Sequence, residues 1–250
     1  MNQSLIDYTL HLADNALIIG HRNSEWCGHG PVLEQDIAIS NIALDFIGQA
    51  RNLYQYAAEL SGNGATEDSL AFLRDVPEFK NLLITELPNG DWAQTTMRQF
   101  LFSTYQYYFY QQLQLSSDQR LAAIAAKSLK EVTYHLRWSS EWVIRLGDGT
   151  EESKERTIKA IDEVWNFTGE LFLPAPYETA LLKEHISVDL SAIQQQWKQK
   201  VEEVFAEATI HIPEKSWSQQ GGKTGIHTEH LGYILAEMQF LQRAYPGAEW

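Results

Sequence analysis

The spacing of apolar residues constrains this chain more than any other feature of its sequence. Apolar side chains recur three or four positions apart along most of the chain, for example at Leu5, Tyr8, Leu12, Ala16 and Ile19. Such spacing places them on one face of an α-helix, and no convincing set of alternating strands competes with it. The sequence therefore predicts an all-α fold.

Turn residues divide the periodic pattern into segments. The apolar pattern between these turns predicts helices over about 3–22, 32–60, 92–115, 119–146, 152–171, 176–185, 190–209 and 225–245, with short helical pieces in 66–86. Asp91 follows a Pro-Asn-Gly turn and is expected to cap the next helix. Because no flexible linker separates the segments, we predict one domain over 1–250. Its core bundle would span 1–147, with additional helices over 148–250 packed on it.

The balance of charge narrows the classes of partner. The chain has 33 acidic and 19 basic residues, a formal net charge of −14, and 44% hydrophobic residues for a core. A surface this acidic repels phosphate backbones and anionic lipid, so we expect neither nucleic-acid nor membrane partners. A single cysteine, Cys27, excludes an internal disulfide, and we expect its thiol to be buried. Without a visible signal peptide, a cytoplasmic protein is expected.

Long helices raise the question of a metal inside the bundle. Ferritin-like diiron proteins use one Glu from each of two helices and a Glu-x-x-His pair from each of two others. The three-residue spacing puts both ligands of a pair on one helical face. A register with suitable separations can be laid on the interior of this bundle. Its positions are Asp14, Asp45 with Gly48, Ser103, and Glu131 with Tyr134.

The chemistry of this register is incomplete. Gly48 and Tyr134 stand at both histidine positions, and Ser103 stands at a carboxylate position. Independently of any register, no histidine in the chain has Glu or Asp three residues before it. The six positions are therefore interpreted as a vestigial diiron site, and we predict no metal, no cofactor and no catalytic residue in this chain.

A buried carboxylate without a metal needs another source of positive charge. Lys127, Glu131 and His135 share one helical face, and we predict that Lys127 pairs with Glu131, Asp45 or both. The alternative is a solvated Glu–Lys pair on an exposed face.

Two metal-binding alternatives also stay open. One is a metalloenzyme with a non-standard site built from Asp14, Asp45, Glu131 and His135. The other is a metal held by His227 and His230, which lie three residues apart after a glycine-rich loop. Capping or partner contact competes with the second interpretation.

Particular stretches carry a resemblance that covers essentially the whole chain. They are residues 24–29, 41–45, 48–52, 130–137, 221–223, 227–232 and 236–250. In these stretches the sequence resembles the family of C subunits of the bacterial phenylacetyl-CoA epoxidases, the phenylacetic acid degradation monooxygenases. The resemblance implies a ferritin-like helical bundle with additional C-terminal helices.

The resemblance also implies a role and partners. It implies a structural, non-catalytic subunit in complex with a related catalytic subunit, which holds the diiron centre. Further partners would be a small subunit and a reductase that carries FAD and an iron–sulfur cluster and uses NADPH. The complex would epoxidise the aromatic ring of phenylacetyl-CoA with oxygen. Whether isolated chains form homodimers stays open.

Overall fold

Helices account for all regular structure in the residues that the computed structural model describes, 2–214 and 217–248. This confirms the predicted all-α class and is consistent with a ferritin-like helical bundle. The α-helices are α1 (Asn2–Ser24), α2 (Leu33–Ser61), α3 (Glu67–Phe72), α4 (Leu83–Glu86), α5 (Trp92–Leu113), α6 (Gln119–Gly147), α7 (Glu151–Val164), α8 (Pro176–Leu182), α9 (Leu190–Glu207), α10 (Glu229–Met238) and α11 (Phe240–Ala244). Short 3₁₀ turns span Val76–Glu78, Trp165–Phe167, Gly169–Phe172 and Gly222–Thr224.

The chain forms two compact units. The first combines Met1–Pro88 with Gly221–Trp250, and the second is Asn89–Gln220. In the first unit α1 packs along α2, while α4 contacts both α1 and α10; in the second, α5 packs against α6, α7 and α9. These boundaries do not coincide with the predicted division after residue 147, and the single domain over 1–250 stays a prediction.

Side-chain hydrogen bonds fix where two of the helices begin and where one predicted helix is interrupted. Asp91 caps α5 as predicted, since its carboxylate accepts a hydrogen bond from the Gln94 amide at 3.0 Å. The helix predicted over 225–245 is interrupted instead. It begins after Thr228, whose hydroxyl accepts from the His230 amide. It breaks at Gln239, whose buried side chain donates to the carbonyls of Ala71 and Arg74 at 3.2 and 3.0 Å.

Cys27 is exposed because it lies in the turn after α1, so the expectation of a buried thiol is wrong.

Among the residues described, none of the helices combines the length and the apolar character needed to cross a membrane.

The loop before α10 lies close against the segment before α4. A Cβ atom placed on Gly222 would lie 2.2 Å from the Asn81 carbonyl oxygen and 3.1 Å from the Leu83 amide nitrogen. Both neighbours are backbone atoms in a buried segment, so they cannot turn aside. Glycine at position 222 therefore allows the loop that carries His227 to lie this close to the segment before α4.

A pair of glycine variants tests this packing. We expect Gly222→Ala to lower the free energy of unfolding by about 1–3 kcal/mol through overpacking. Gly232→Ala is the matched control, because a Cβ there meets no atom within 4 Å and position 232 lies inside α10. That control is expected to be neutral or to stabilise by up to about 1 kcal/mol. Urea unfolding followed by circular dichroism distinguishes them, and equal stabilities would contradict the close approach.

Candidate functional site

Asp14 on α1 is the centre of a buried ion-pair network in the first unit. Its side chain is fully buried. Oδ1 accepts hydrogen bonds from the Tyr54 hydroxyl at 2.5 Å and from Nη2 of Arg74. Oδ2 accepts from Nη1 of Arg74 at 3.1 Å and from the Lys80 amide at 2.8 Å. Each carboxylate oxygen therefore has two donors, so the acceptor capacity of Asp14 is filled.

Arg74 is held on every side. Nε donates to the Leu70 carbonyl at 2.6 Å, and Nη1 donates to the Glu78 carbonyl at 2.9 Å. The guanidinium carbon lies 4.2 Å from the centre of the Phe79 ring, a cation–π arrangement. Burial lowers the pKa of Arg74, but the charge of Asp14 outweighs it and the pKa is raised, so this cation is permanent.

Tyr54 on α2 completes the network as a proton donor. Burial and the charge of Asp14 raise the pKa of its hydroxyl well above the ordinary value. The phenol therefore keeps its proton and donates it to the carboxylate. The compensating cation for Asp14 is thus a guanidinium from the segment after α3, and Asp14 has no lone pair left for a metal.

Of the two register positions on α2, only Gly48 lies on the outside of the helix. Asp45 is half-buried, and Gly48 is exposed, with no atom within 4 Å of a Cβ placed on it. The prediction that position 48 faces the bundle interior is wrong, because the helical phase buries Gln49 instead. The vacant histidine position lies on the outer face of this helix.

The register positions on α5 and α6 are in the second unit. Ser103 is fully buried and lies 2.7 Å from the Gln99 side-chain amide, which donates to it. Glu131 is half-buried. Burial of the Tyr110 hydroxyl raises its pKa, and the charge of Glu131 raises it further. Tyr134 is 37% exposed, so its predicted interior position is also wrong. The residue one further along, His135, is the buried one.

Lys127 does not supply a buried charge. Its side chain is exposed, which corrects the prediction that it replaces the missing cations inside the bundle. The site instead contains Arg74, which no local pattern in the sequence indicated, because it is sixty residues from Asp14 along the chain.

A diiron centre does not fit these residues. Asp14 is saturated by Arg74, Tyr54 and Lys80, and positions 48 and 134 offer exposed glycine and tyrosine. The non-standard metal site loses its first ligand for the same reason. Within the described ranges, no group of three or more His, Cys, Asp or Glu side chains is placed to hold a metal ion.

Glu86 and His227 form a second buried pair in the first unit. Both side chains are fully buried, with Nδ1 of His227 3.0 Å from Oε2 of Glu86. Glu86 also accepts from the Thr228 amide at 2.6 Å and from the Asn81 side chain at 3.0 Å. Nε2 of His227 lies 2.9 Å from the Phe79 carbonyl oxygen. Because both ring nitrogens face acceptors, this geometry favours the protonated imidazole, which donates from both nitrogens.

This geometry raises the pKa of His227. Burial alone lowers it, but the hydrogen bond and charge of Glu86 and the Phe79 carbonyl outweigh burial. A metal held by His227 and His230 is therefore excluded, since neither nitrogen of His227 has a free lone pair. The sequence carries one signal for Glu86: it is the only charged residue among mostly apolar residues at 82–87.

Comparison with known proteins agrees with the resemblance found in the sequence. The family model described as "Phenylacetic acid catabolic protein" matches residues 1–250. The chain is 48% identical over 250 residues to the C subunit of the 1,2-phenylacetyl-CoA epoxidase of Escherichia coli (strain K12), covering 100% of both chains. The predicted family resemblance is thereby confirmed.

Substitution of Asp14 tests the buried ion pair. We expect Asp14→Asn to cost about 3–5 kcal/mol of unfolding free energy, because it leaves the Arg74 charge buried without a carboxylate. The double variant Asp14→Asn/Arg74→Met should lose less than the sum of the two single variants. Glu67→Gln is the control: it breaks an exposed pair with Arg51 and should cost less than about 1 kcal/mol. Additive losses in the double variant would contradict the coupling.

The Glu86–His227 pair predicts a pH dependence of stability. A raised folded-state pKa means that the stability from protonated His227 is fully present below its unfolded pKa and is lost as pH rises through the folded pKa. The stability difference between the wild type and His227→Gln should therefore shrink as pH rises above neutral. Exposed His211 provides the control variant, His211→Gln. A difference that stays constant between mildly acidic and alkaline pH in urea unfolding would contradict a charged His227.

Proposed function

The chain belongs to the phenylacetic acid catabolic protein family, and we propose that it is a structural, non-catalytic subunit of a multicomponent phenylacetyl-CoA epoxidase. In this role it stabilises a related catalytic subunit during aerobic breakdown of phenylacetate in the cytoplasm. The diiron centre, the FAD and the iron–sulfur cluster belong to the partner subunits, namely the catalytic subunit and a reductase, with a small subunit completing the complex.

The state of Asp14 is the observation that carries this proposal. A metal ligand must offer a lone pair, whereas all four donors around Asp14 come from the protein itself. Displacing them would strand the buried guanidinium of Arg74, which costs several kcal/mol. The network therefore favours a structural role over a metal-binding role for Asp14, the register position whose carboxylate is fully buried.

The buried pairs also suit a supporting role. Asp14 with Arg74 and Glu86 with His227 fix α1, α2, α4 and the loop before α10 in one arrangement of the first unit. Partly satisfied alternatives would leave a charge in a dry interior, so other packings are strongly disfavoured. A rigid framework of this kind is what a subunit that holds its partner in shape requires.

Omission of the chain tests the proposed role. We expect the catalytic subunit to co-purify with this chain, and ring epoxidation to be lost when the chain is left out and restored when it is added back. Full activity and solubility of the catalytic subunit alone would contradict the proposal.

Substitutions at register positions separate a structural from a catalytic role within the intact complex. Because neither residue would touch the reacting atoms, we expect Glu131→Gln and Ser103→Ala to leave the turnover number within about twofold. Loss of a group that takes part in chemistry typically lowers turnover by about 10²-fold or more. A decrease of that size, with the complex still assembled in size-exclusion chromatography, would identify a catalytic role for this chain.

A further inference from the structure

The outer face of α6 concentrates positive charge in an otherwise acidic chain. Each residue advances an α-helix by about 100°, and at that rotation the spacing of these cations places them in one stripe about 80° wide. Tyr134 lies in the stripe and is 37% exposed. One exposed acid, Glu141, also lies there, so cations outnumber acids four to one. The exposed cations, which together with Tyr134 we call the basic face of α6, are Lys127, Lys130, Arg137 and Arg145.

Within the part of the chain that is described, none of the four cations of this face forms an ion pair with another described residue. The chain nevertheless has 33 acidic residues for 19 basic ones. On other helices exposed cations do find partners, as Arg156 does with Glu152. Lys183 and Lys198 also lack an ion pair in this part of the chain, but they lie singly on different elements.

Two of these cations stack on aromatic rings of α6. The guanidinium carbon of Arg137 lies 5.6 Å from the centre of the Tyr134 ring, and that of Arg145 lies 5.0 Å from the Trp142 ring. Stacking limits the rotamers of both arginines, so less entropy is lost when a partner contacts them. Tyr and Arg are also the residue types enriched at the centres of protein interfaces.

The shape of the face favours a protein over a small anion. Ligand sites are concave and enclose most of their ligand, whereas this face is the convex side of one helix. From Lys127 to Arg145 it extends about 27 Å, or five helical turns, which matches a contact along a partner helix. Repulsion among its cations is relieved most fully by an external surface of opposite charge.

We propose that the basic face of α6 is a docking surface for an acidic helical face of the catalytic subunit. The identity of that partner rests on the function proposed above, while the chemistry of the contact rests on the charges of α6. Electrostatic complementarity of this kind mainly speeds association and selects the partner, and it weakens with salt.

Charge reversal at matched sites tests the proposal. The purified catalytic subunit is titrated against the full chain, against Lys127→Glu/Lys130→Glu, and against the control Lys183→Glu/Lys198→Glu, which changes the net charge equally. We expect the α6 variant to bind about tenfold more weakly or worse, mainly through slower association, with a shallower dependence on ionic strength. The control should stay within about twofold of the wild type.

Other outcomes overturn the docking surface separately from the proposed function. Equal weakening by both double variants would show an effect of net charge alone, and unchanged binding by the α6 variant would exclude this face. If the α6 variant binds the catalytic subunit normally but loses self-association, the occupant is a second copy of this chain. If it loses only affinity for the coenzyme A substrate, the face binds phosphate. Absence of binding by the wild type would instead contradict the structural-subunit role.

Folding of the variants is checked by circular dichroism and urea unfolding. All four substituted lysines are exposed, so the fold should tolerate the changes. The neutral variant Lys127→Gln/Lys130→Gln provides a second test. It should weaken binding less than charge reversal does, and equal binding by neutral and wild-type chains would contradict an electrostatic contact.

Discussion

The first unit depends on the burial of Asp14 against Arg74. Moving either charge alone from water into a dry interior costs several kcal/mol, so neither residue can be buried without the other. Their meeting requires α1 to supply the carboxylate, α2 to supply the Tyr54 hydroxyl and the segment after α3 to supply the guanidinium. The Lys80 amide, which donates to the same carboxylate, fixes the path of the chain toward α4. One polar contact therefore specifies how three separate stretches of sequence assemble.

The second pair extends the same principle to the C-terminal part of the first unit. The path of the chain toward α4 places Glu86 in the interior. Its charge is balanced by His227, which lies 141 residues later in the sequence. Gly222 permits the loop to approach closely enough for the imidazole to reach both Glu86 and the Phe79 carbonyl. In diiron proteins the charges of interior carboxylates are balanced by iron. Here Arg74 balances Asp14 and His227 balances Glu86, which explains how both acids can stay buried in this unit.

Much of the fold follows from local sequence signals, and much of the site does not. The apolar period predicted α1, α2, α5, α6 and α9 to within a few residues, because burial of one face determines them. The helix predicted over 152–171 instead ends at Val164. The predicted register is out of phase by one residue at Gly48 and Tyr134. The buried side chains are Gln49 and His135, each four residues after its carboxylate instead of three. Lys127 is near the register carboxylate Glu131 in sequence, whereas Arg74 is near Asp14 only in space. Long-range pairing of charges leaves no periodic trace, and its one visible sign is Glu86, the single acid among mostly apolar residues at 82–87.

Protein groups, rather than a metal, satisfy the buried carboxylates of Asp14 and Glu86. Anaerobic loading of the purified chain with ferrous iron, removal of excess iron and exposure to oxygen test this directly, with bound iron per chain and the absorption spectrum as the readouts. We expect iron far below one atom per chain and no oxidised-diiron band, with the proposed catalytic subunit loaded in parallel as the positive control. Two iron atoms per chain together with that band would contradict it.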